Sequence, residues 1–256
     1  MRRKLAAGNW KMNGGAAELD GVAALGKAHG KAHGAAGIDV LICPPHTLIS
    51  AASRRAEGRV MIGGQDCHTE SAGAHTGDVS ARMLADCGAV AVILGHSERR
   101  AAHGETCDLV CAKTRAAHAA GLMAIICVGE SHAEREAQNT LDIIGAQLSA
   151  SIPDTATGDN TVIAYEPCWA IGTGLTPSTD QIGEVHDFIR ARLERRFGEG
   201  AGRSIRLLYG GSVKGSNAAE IFAVPNVDGA LVGGASLTPD DFTPVINALD
   251  AEAHAS

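Results

Sequence analysis

The stretch Tyr165-Glu-Pro-Cys-Trp-Ala-Ile-Gly-Thr-Gly174 puts a carboxylate, Glu166, at the end of the apolar run 161–165. Pro167 keeps Glu166 extended and prevents a helix from starting there. Trp169 and Ile171 follow in a segment too short and too rich in glycine to be core, and Gly172 and Gly174 close it. A charged group hinged to an apolar flap suits a proton-transfer site that must exclude water. Two further groups of useful chemistry, Lys11 and His96, also stand just past apolar runs. Alone, Lys11 reads as a solvated surface cation, His96 as a structural imidazole and Glu166 as a loop cap. Together they supply a fixed cation, a neutral acid or hydrogen-bond donor and a carboxylate base. That is the set needed to move a proton next to a carbonyl.

Such groups must be held by elements. Short, nearly continuous apolar runs recur at residues 4–8, 38–43, 60–63, 90–94, 123–128, 161–165, 206–209 and 229–232. Runs that do not alternate suit parallel strands buried on both faces. Helical spacing fills the gaps, at 16–30, 47–57, 80–87, 107–120, 132–150, 178–197, 217–223 and 239–248. It is clearest where Ile182, Val185, Phe188, Ile189, Leu193 and Phe197 recur. Eight strand–helix repeats in 256 residues predict an α/β fold, a (β/α)8 barrel forming one domain over residues 1–256. A doubly wound open sheet is the alternative, because strand order is not visible in sequence. In both layouts active groups gather beyond the C-terminal strand ends. Glycine pairs there, Gly210-Gly211 with Ser212 and Gly233-Gly234, are expected to cradle a phosphate with backbone N–H groups, each shortly before a helix.

The totals exclude several classes. A net charge of −7 argues against nucleic acid or an anionic membrane as partner, and no apolar stretch approaches a membrane span. The basic start Met1-Arg-Arg-Lys4 is not followed by the apolar run of a signal peptide. Seven cysteines, an odd number without a CxxC pair, indicate a reducing compartment, and we expect a cytoplasmic protein. His103, Cys107 and Cys111 are spaced for one helix face. Half-buried helix residues are the favoured reading there, and a metal site the alternative.

Gly8-Asn-Trp-Lys-Met-Asn13, Gly95-His-Ser-Glu-Arg99, Tyr165 to Gly174, Tyr209-Gly-Gly-Ser-Val213 and Leu231-Val-Gly-Gly-Ala-Ser-Leu237 resemble, in order and spacing, the signature segments of the triosephosphate isomerases. The resemblance implies that Glu166 moves a proton between C1 and C2 of dihydroxyacetone phosphate and D-glyceraldehyde 3-phosphate. His96, neutral and tuned by the helix start after it, would serve the oxygens, Lys11 the oxyanion and Asn9 the substrate oxygens. Ser97 would park Glu166, and Gly172, Ser212, Gly233 and Gly234 would hold the phosphate. Pro167, Cys168, Trp169, Ala170, Ile171, Gly172, Thr173, Gly174, Leu175 and Thr176 would form a closing lid. It further implies a homodimer, with His75 and Thr76 of the segment 65–78 reaching the partner, no cofactor or metal, and a place in glycolysis and gluconeogenesis. Cys168, Leu175 and His75 depart from the family's usual residues; Cys168 reads either as an oxidisable thiol or as an inert apolar residue. A four-carbon sugar phosphate is the alternative substrate. An aldolase would need a desolvated lysine, and Lys11 is the only lysine at a strand end. A catalytically silent binding barrel would not need base, imidazole, cation and lid together.

Overall fold

In a computed structural model, which describes residues 2–29, 37–171 and 175–255, eight strands close into a parallel barrel in sequence order. They are β1 (Leu5–Asn9), β2 (Asp39–Cys43), β3 (Met61–Gly64), β4 (Ala91–Leu94), β5 (Met123–Val128), β6 (Thr161–Tyr165), β7 (Arg206–Tyr209) and β8 (Gly229–Val232). The ring closes where β1 pairs with β8, from Leu5 opposite Gly229 to Gly8 opposite Val232. Every strand residue except Met61 is buried. The open-sheet alternative is therefore excluded.

The physical reason for the continuous apolar runs is now plain, since each strand has two faces to bury. One face packs into the barrel interior, with Leu5, Ala7, Leu41, Ile93, Ile125, Val162 and Leu208 among its residues. The other meets the helices through Ala6, Ile42, Val92, Ile126, Ile163 and Leu207. The foot of the interior carries an ion pair, Arg206 Nη1 to Asp39 Oδ2 at 3.0 Å. Arg206, at the start of an apolar run, is thereby paired rather than solvated.

The helices are α1 (Leu19–His29), α2 (Ile49–Ala56), α3 (Ala81–Asp86), α4 (Ser97–His103), α5 (Cys107–Ala119), α6 (His132–Glu136), α7 (Thr140–Ser151), α8 (Thr179–Ser204), α9 (Ala218–Phe222) and α10 (Pro239–Ala255). Two departures from expectation are local in origin. A separate short helix, α4, precedes α5 and ends at Gly104 in the left-handed region. The expected helix 132–150 breaks at Gln138, which has φ 59°. Ser178 starts α8 as expected, in a reciprocal capping box with Gln181. α8 then runs past Phe197 to Ser204, kinked at Gly198.

Candidate active site

The tips of β1, β4, β6, β7 and β8 converge on a cavity of about 230 Å³. Asn9, Lys11, His96, Glu166, Ile171, Ser212, Lys214, Gly233 and Gly234 are in its lining. Among the expected catalytic residues only Ser97 is outside this lining, and it touches Glu166 directly. Among the expected phosphate ligands, Gly172 lies outside the described residues, as do Thr173 and Gly174 of the expected lid.

Glu166 is 2% exposed, yet its carboxylate is fully engaged. Oε1 lies 2.8 Å from His96 Nε2, and Oε2 accepts the Ser97 N–H at 3.0 Å. Ser97 thus holds the Glu166 carboxylate through its backbone. His96 is the N-cap of α4, and its Nδ1 accepts the Glu98 N–H at 3.2 Å. An Nδ1 that accepts carries no proton, so the neutral ring has its hydrogen on Nε2, facing Glu166. Burial pulls the imidazole toward neutrality, but the adjacent Glu166 carboxylate outweighs it and raises its pKa above the ordinary value. The sequence reading expected only the lowering influence of the helix start. That influence and burial remain if Glu166 moves away, while the larger raising influence leaves with it and only the smaller one of Glu98 stays.

Lys11 has φ 52°, an unusual conformation for a residue with a side chain. The surrounding contacts hold it: Asn9 Oδ1 accepts its N–H at 3.0 Å, and Gln65 Nε2 donates to its carbonyl at 2.8 Å. Its ammonium pairs with Glu98 Oε1 at 2.5 Å. Gln65 and Glu98 were within quoted segments, but no local signal assigned them these tasks.

The two glycine segments each come shortly before a helix, as expected. After β7 the loop runs to Asn217, whose side chain accepts from the Lys214 N–H at 2.8 Å and donates to the Ser212 carbonyl at 3.1 Å. α9 begins only at Ala218. After β8 the turn is a 3-10 helix, Gly234–Ser236, with α10 starting later at Pro239. The connections to these helices are a loop after β7 and a tight turn after β8. Trp10 anchors the turn, its indole donating to the Ser236 carbonyl at 3.0 Å. Lys214, beside Ser212, adds a second cation to the rim.

The described part of the expected lid starts with Pro167 and a 3-10 turn, Cys168–Ala170. Its Trp169 indole donates to Glu130 Oε1 at 2.9 Å, and the Tyr165 hydroxyl donates to the same oxygen at 3.1 Å. Burial raises the Glu130 pKa, partly offset by these two donors. Ala170 is core, while Trp169 and Ile171 are half-buried. Cys168 is half-buried, and burial pushes its thiol up to about 12, which favours the inert reading. Leu175 is exposed.

His75 and Thr76 stand on the loop after β3, outside the cavity lining and both exposed. The His75 ring lies over His68, with centroids 4.0 Å apart. Together with Asp78 these rings form the one group of three candidate metal ligands among the described residues. His68 Nδ1, however, accepts the Glu70 N–H at 3.0 Å, so the hydrogen sits on Nε2, the nitrogen facing Asp78, where a ligand would need a lone pair. Cys107 is half-buried and Cys111 buried on α5, with His103 on the separate α4, in line with the favoured helical reading.

The family model described as triosephosphate isomerase matches residues 4–249. A relative of that name from Ruegeria pomeroyi is 64% identical over 99% of this chain and 100% of its own length. One from Dinoroseobacter shibae is 66% identical over 97% and 100%. A crystal structure of triosephosphate isomerase from Bartonella henselae superposes with a TM-score of 0.87, at 44% identity, covering 96% of this chain and 98% of that one. A parallel eight-stranded barrel, a carboxylate and imidazole at its mouth and full-length similarity of this degree agree: the chain belongs to the triosephosphate isomerase family.

Proposed function

We propose that this site interconverts dihydroxyacetone phosphate and D-glyceraldehyde 3-phosphate through an enediolate, with Glu166 as the base. The observation that carries the reading is the buried Glu166 carboxylate. It sits 2.8 Å from His96 Nε2, on the edge of a cavity that also presents Lys11 and the Gly233–Gly234 turn. The backbone groups of Ser212, Gly233, Gly234 and Gly172 hold the phosphate. Lys11 faces the substrate oxygens and balances negative charge as it grows, and Asn9 keeps those oxygens in place. Glu166 leaves Ser97, takes a proton from one carbon and returns it to the neighbour. The freed Nε2–H of His96 serves the two oxygens, and its neutral form is favoured once the carboxylate has moved.

The segment from Pro167 to Thr176 acts as the lid. Closure excludes water and keeps the enediolate from expelling phosphate. Because Pro167 adjoins the base, hinge motion and delivery of Glu166 are one event. The exposed tip carrying His75 and Thr76 supports a homodimer in which Thr76 backs the partner's site. A cytoplasmic place in glycolysis and gluconeogenesis follows from the substrate. No cofactor is required, since all hydrogens stay on substrate carbons and oxygens. Among the described residues, no helix is long and apolar enough to cross a membrane.

The test is Glu166→Gln, assayed by coupled turnover of glyceraldehyde 3-phosphate. A fall in kcat of about 10³-fold or more with binding of inorganic phosphate retained is expected. Unchanged turnover would sink the assignment, and borohydride trapping of a Lys11 adduct would favour an aldolase instead.

A further inference from the structure

The geometry points to Gln147, on the outer helix α7, as a positioning residue that aims Glu166 through Gly129. Gln147 is absent from the lining of the substrate cavity and lines instead an adjoining cleft with Gly129, Ser97 and Glu166. Its side-chain amide nevertheless grips both backbone groups of one residue: Oε1 accepts the Gly129 N–H at 2.8 Å, and Nε2 donates to the Gly129 carbonyl at 2.9 Å.

The strand register gives the reason for this clasp. β4 pairs with β5 up to Leu94 opposite Ile126 and then turns away toward His96. β5 continues to Val128, opposite Tyr165 of β6. The residue after β5 thus has β6 on one side and no strand on the other. A backbone N–H and carbonyl in such a place need partners, and the Gln147 amide provides both in the geometry of a missing peptide.

What is clasped is the platform under the catalytic base. A Cβ on Gly129 would stand 1.8 Å from the Glu166 carbonyl oxygen and 3.2 Å from Cys168 Sγ. The Gly129 backbone therefore lies directly against that of Glu166. Flanking it, the Val128 carbonyl accepts the Glu166 N–H at 2.8 Å, and the Glu130 carbonyl accepts the Cys168 N–H at 3.1 Å. The Glu130 carboxylate takes the Tyr165 hydroxyl and Trp169 indole described above. Residues 128–130 consequently contact the chain before, at and after the base, and Gln147 fixes their middle. Shifting a reacting group by about 1 Å costs on the order of 100-fold in rate, so control of this backbone is control of the proton transfer.

The inference rests on Glu166 being the base, and the two fail separately. An active Glu166→Gln enzyme removes the proposed function. An inactive one beside normal Gln147 variants removes only the inference. The variants are Gln147→Leu, which keeps the shape and loses both hydrogen bonds, and Gln147→Glu, which keeps the acceptor and loses the donor until it is protonated. Each is read at a temperature well below its own unfolding for kcat, KM and the fraction of turnovers ending in elimination. In elimination the C–O bond to phosphate breaks, its electron pair leaves with inorganic phosphate, and the remaining enol becomes a three-carbon dicarbonyl.

For Gln147→Leu we expect kcat to fall roughly 10- to 100-fold, KM to stay within about threefold and the eliminated fraction to rise. For Gln147→Glu we expect an intermediate kcat whose ratio to wild type climbs as pH falls from about 8 to 5.5, because a protonated carboxyl again donates to the Gly129 carbonyl. A merely structural loss moves neither the eliminated fraction nor that ratio. Wild-type kcat in both variants, or loss with an unchanged eliminated fraction and a ratio flat in pH, overturns the inference. Should Gln147→Leu fail to fold, the pH ratio of Gln147→Glu decides alone.

Discussion

Acidification should destabilise this barrel most through one imidazole packed against β6. His186 on α8 is fully buried, with its ring edge-on to Tyr165, centroids 6.0 Å apart. Its Nδ1 lies 3.1 Å from the Asn226 carbonyl, which fixes the hydrogen on Nδ1, and its buried Nε2 has no partner. Burial pulls its pKa down to about 4, against the raising influence of the Asn226 carbonyl and of Asp228. The sign follows directly. The folded pKa is depressed, so between about pH 4 and 6.5 the unfolded chain binds the proton that the folded chain refuses. The stability held by the neutral ring is complete above about pH 6.5 and is lost as pH falls toward 4. Over the whole window that is about 3 kcal/mol, of which about 2 kcal/mol disappears between pH 7 and pH 5. The assay is guanidinium unfolding at pH 7 and pH 5, at one protein concentration, for wild type and for His186→Gln, which can donate to Asn226 but cannot titrate. His29, His46 and His118 are also depressed, chiefly by burial, so some acid sensitivity persists in the variant. The quantity that matters is the difference: wild type should lose about 2 kcal/mol more than His186→Gln over those two pH units. Equal losses would refute the reasoning.

Other consequences are checked as simply. Because the Glu166 carboxylate raises the His96 pKa, protonation locks the base in an ion pair, and kcat/KM should fall on an acid limb centred above about pH 6.5; a pH–rate profile flat down to pH 6 would contradict this. By the same shift, that pair's stabilisation is full below about pH 6.5 and lost as pH rises through the folded value. Gly229 has φ 145°, and a Cβ there would stand 1.9 Å from the Leu5 carbonyl oxygen, so Gly229→Ala should cost about 3 kcal/mol or more in chemical unfolding and open the β1–β8 seam. With its thiol held up at about 12, Cys168 should label with a thiol reagent at pH 8 far more slowly than exposed Cys87; comparable rates, read by peptide mapping, would restore the oxidisable reading.

Much of this protein was legible residue by residue. All eight strands stood where the apolar runs placed them, within about a residue, because a strand buried on both faces admits little but Val, Ile, Leu, Ala and Gly. That Glu166, His96 and Lys11 would meet at one cavity was legible because strand ends are where a barrel gathers its polar groups, and the motifs around them resemble a family's. Helix breaks at Gly104 and Gln138 were less so: a left-handed residue within an otherwise helical pattern leaves no periodic signature.

The tertiary structure alone decided the rest, because those features depend on partners distant in sequence. That the sheet closes, with Leu5 against Gly229, is a fact about residues 224 positions apart. Arg206 opens an apolar run, and its charge is paired only because Asp39 lies beside it across the foot of the barrel. Lys11 adopts its unusual backbone because Gln65 reaches it from another strand end. The direction of the His96 shift is set by Glu166, 70 residues away, through a 2.8 Å contact. Sequence fixes which groups are present and which local conformations they favour. Hydrogen bonds and charge interactions act over a few ångströms, so what each group does depends on the neighbours that folding supplies.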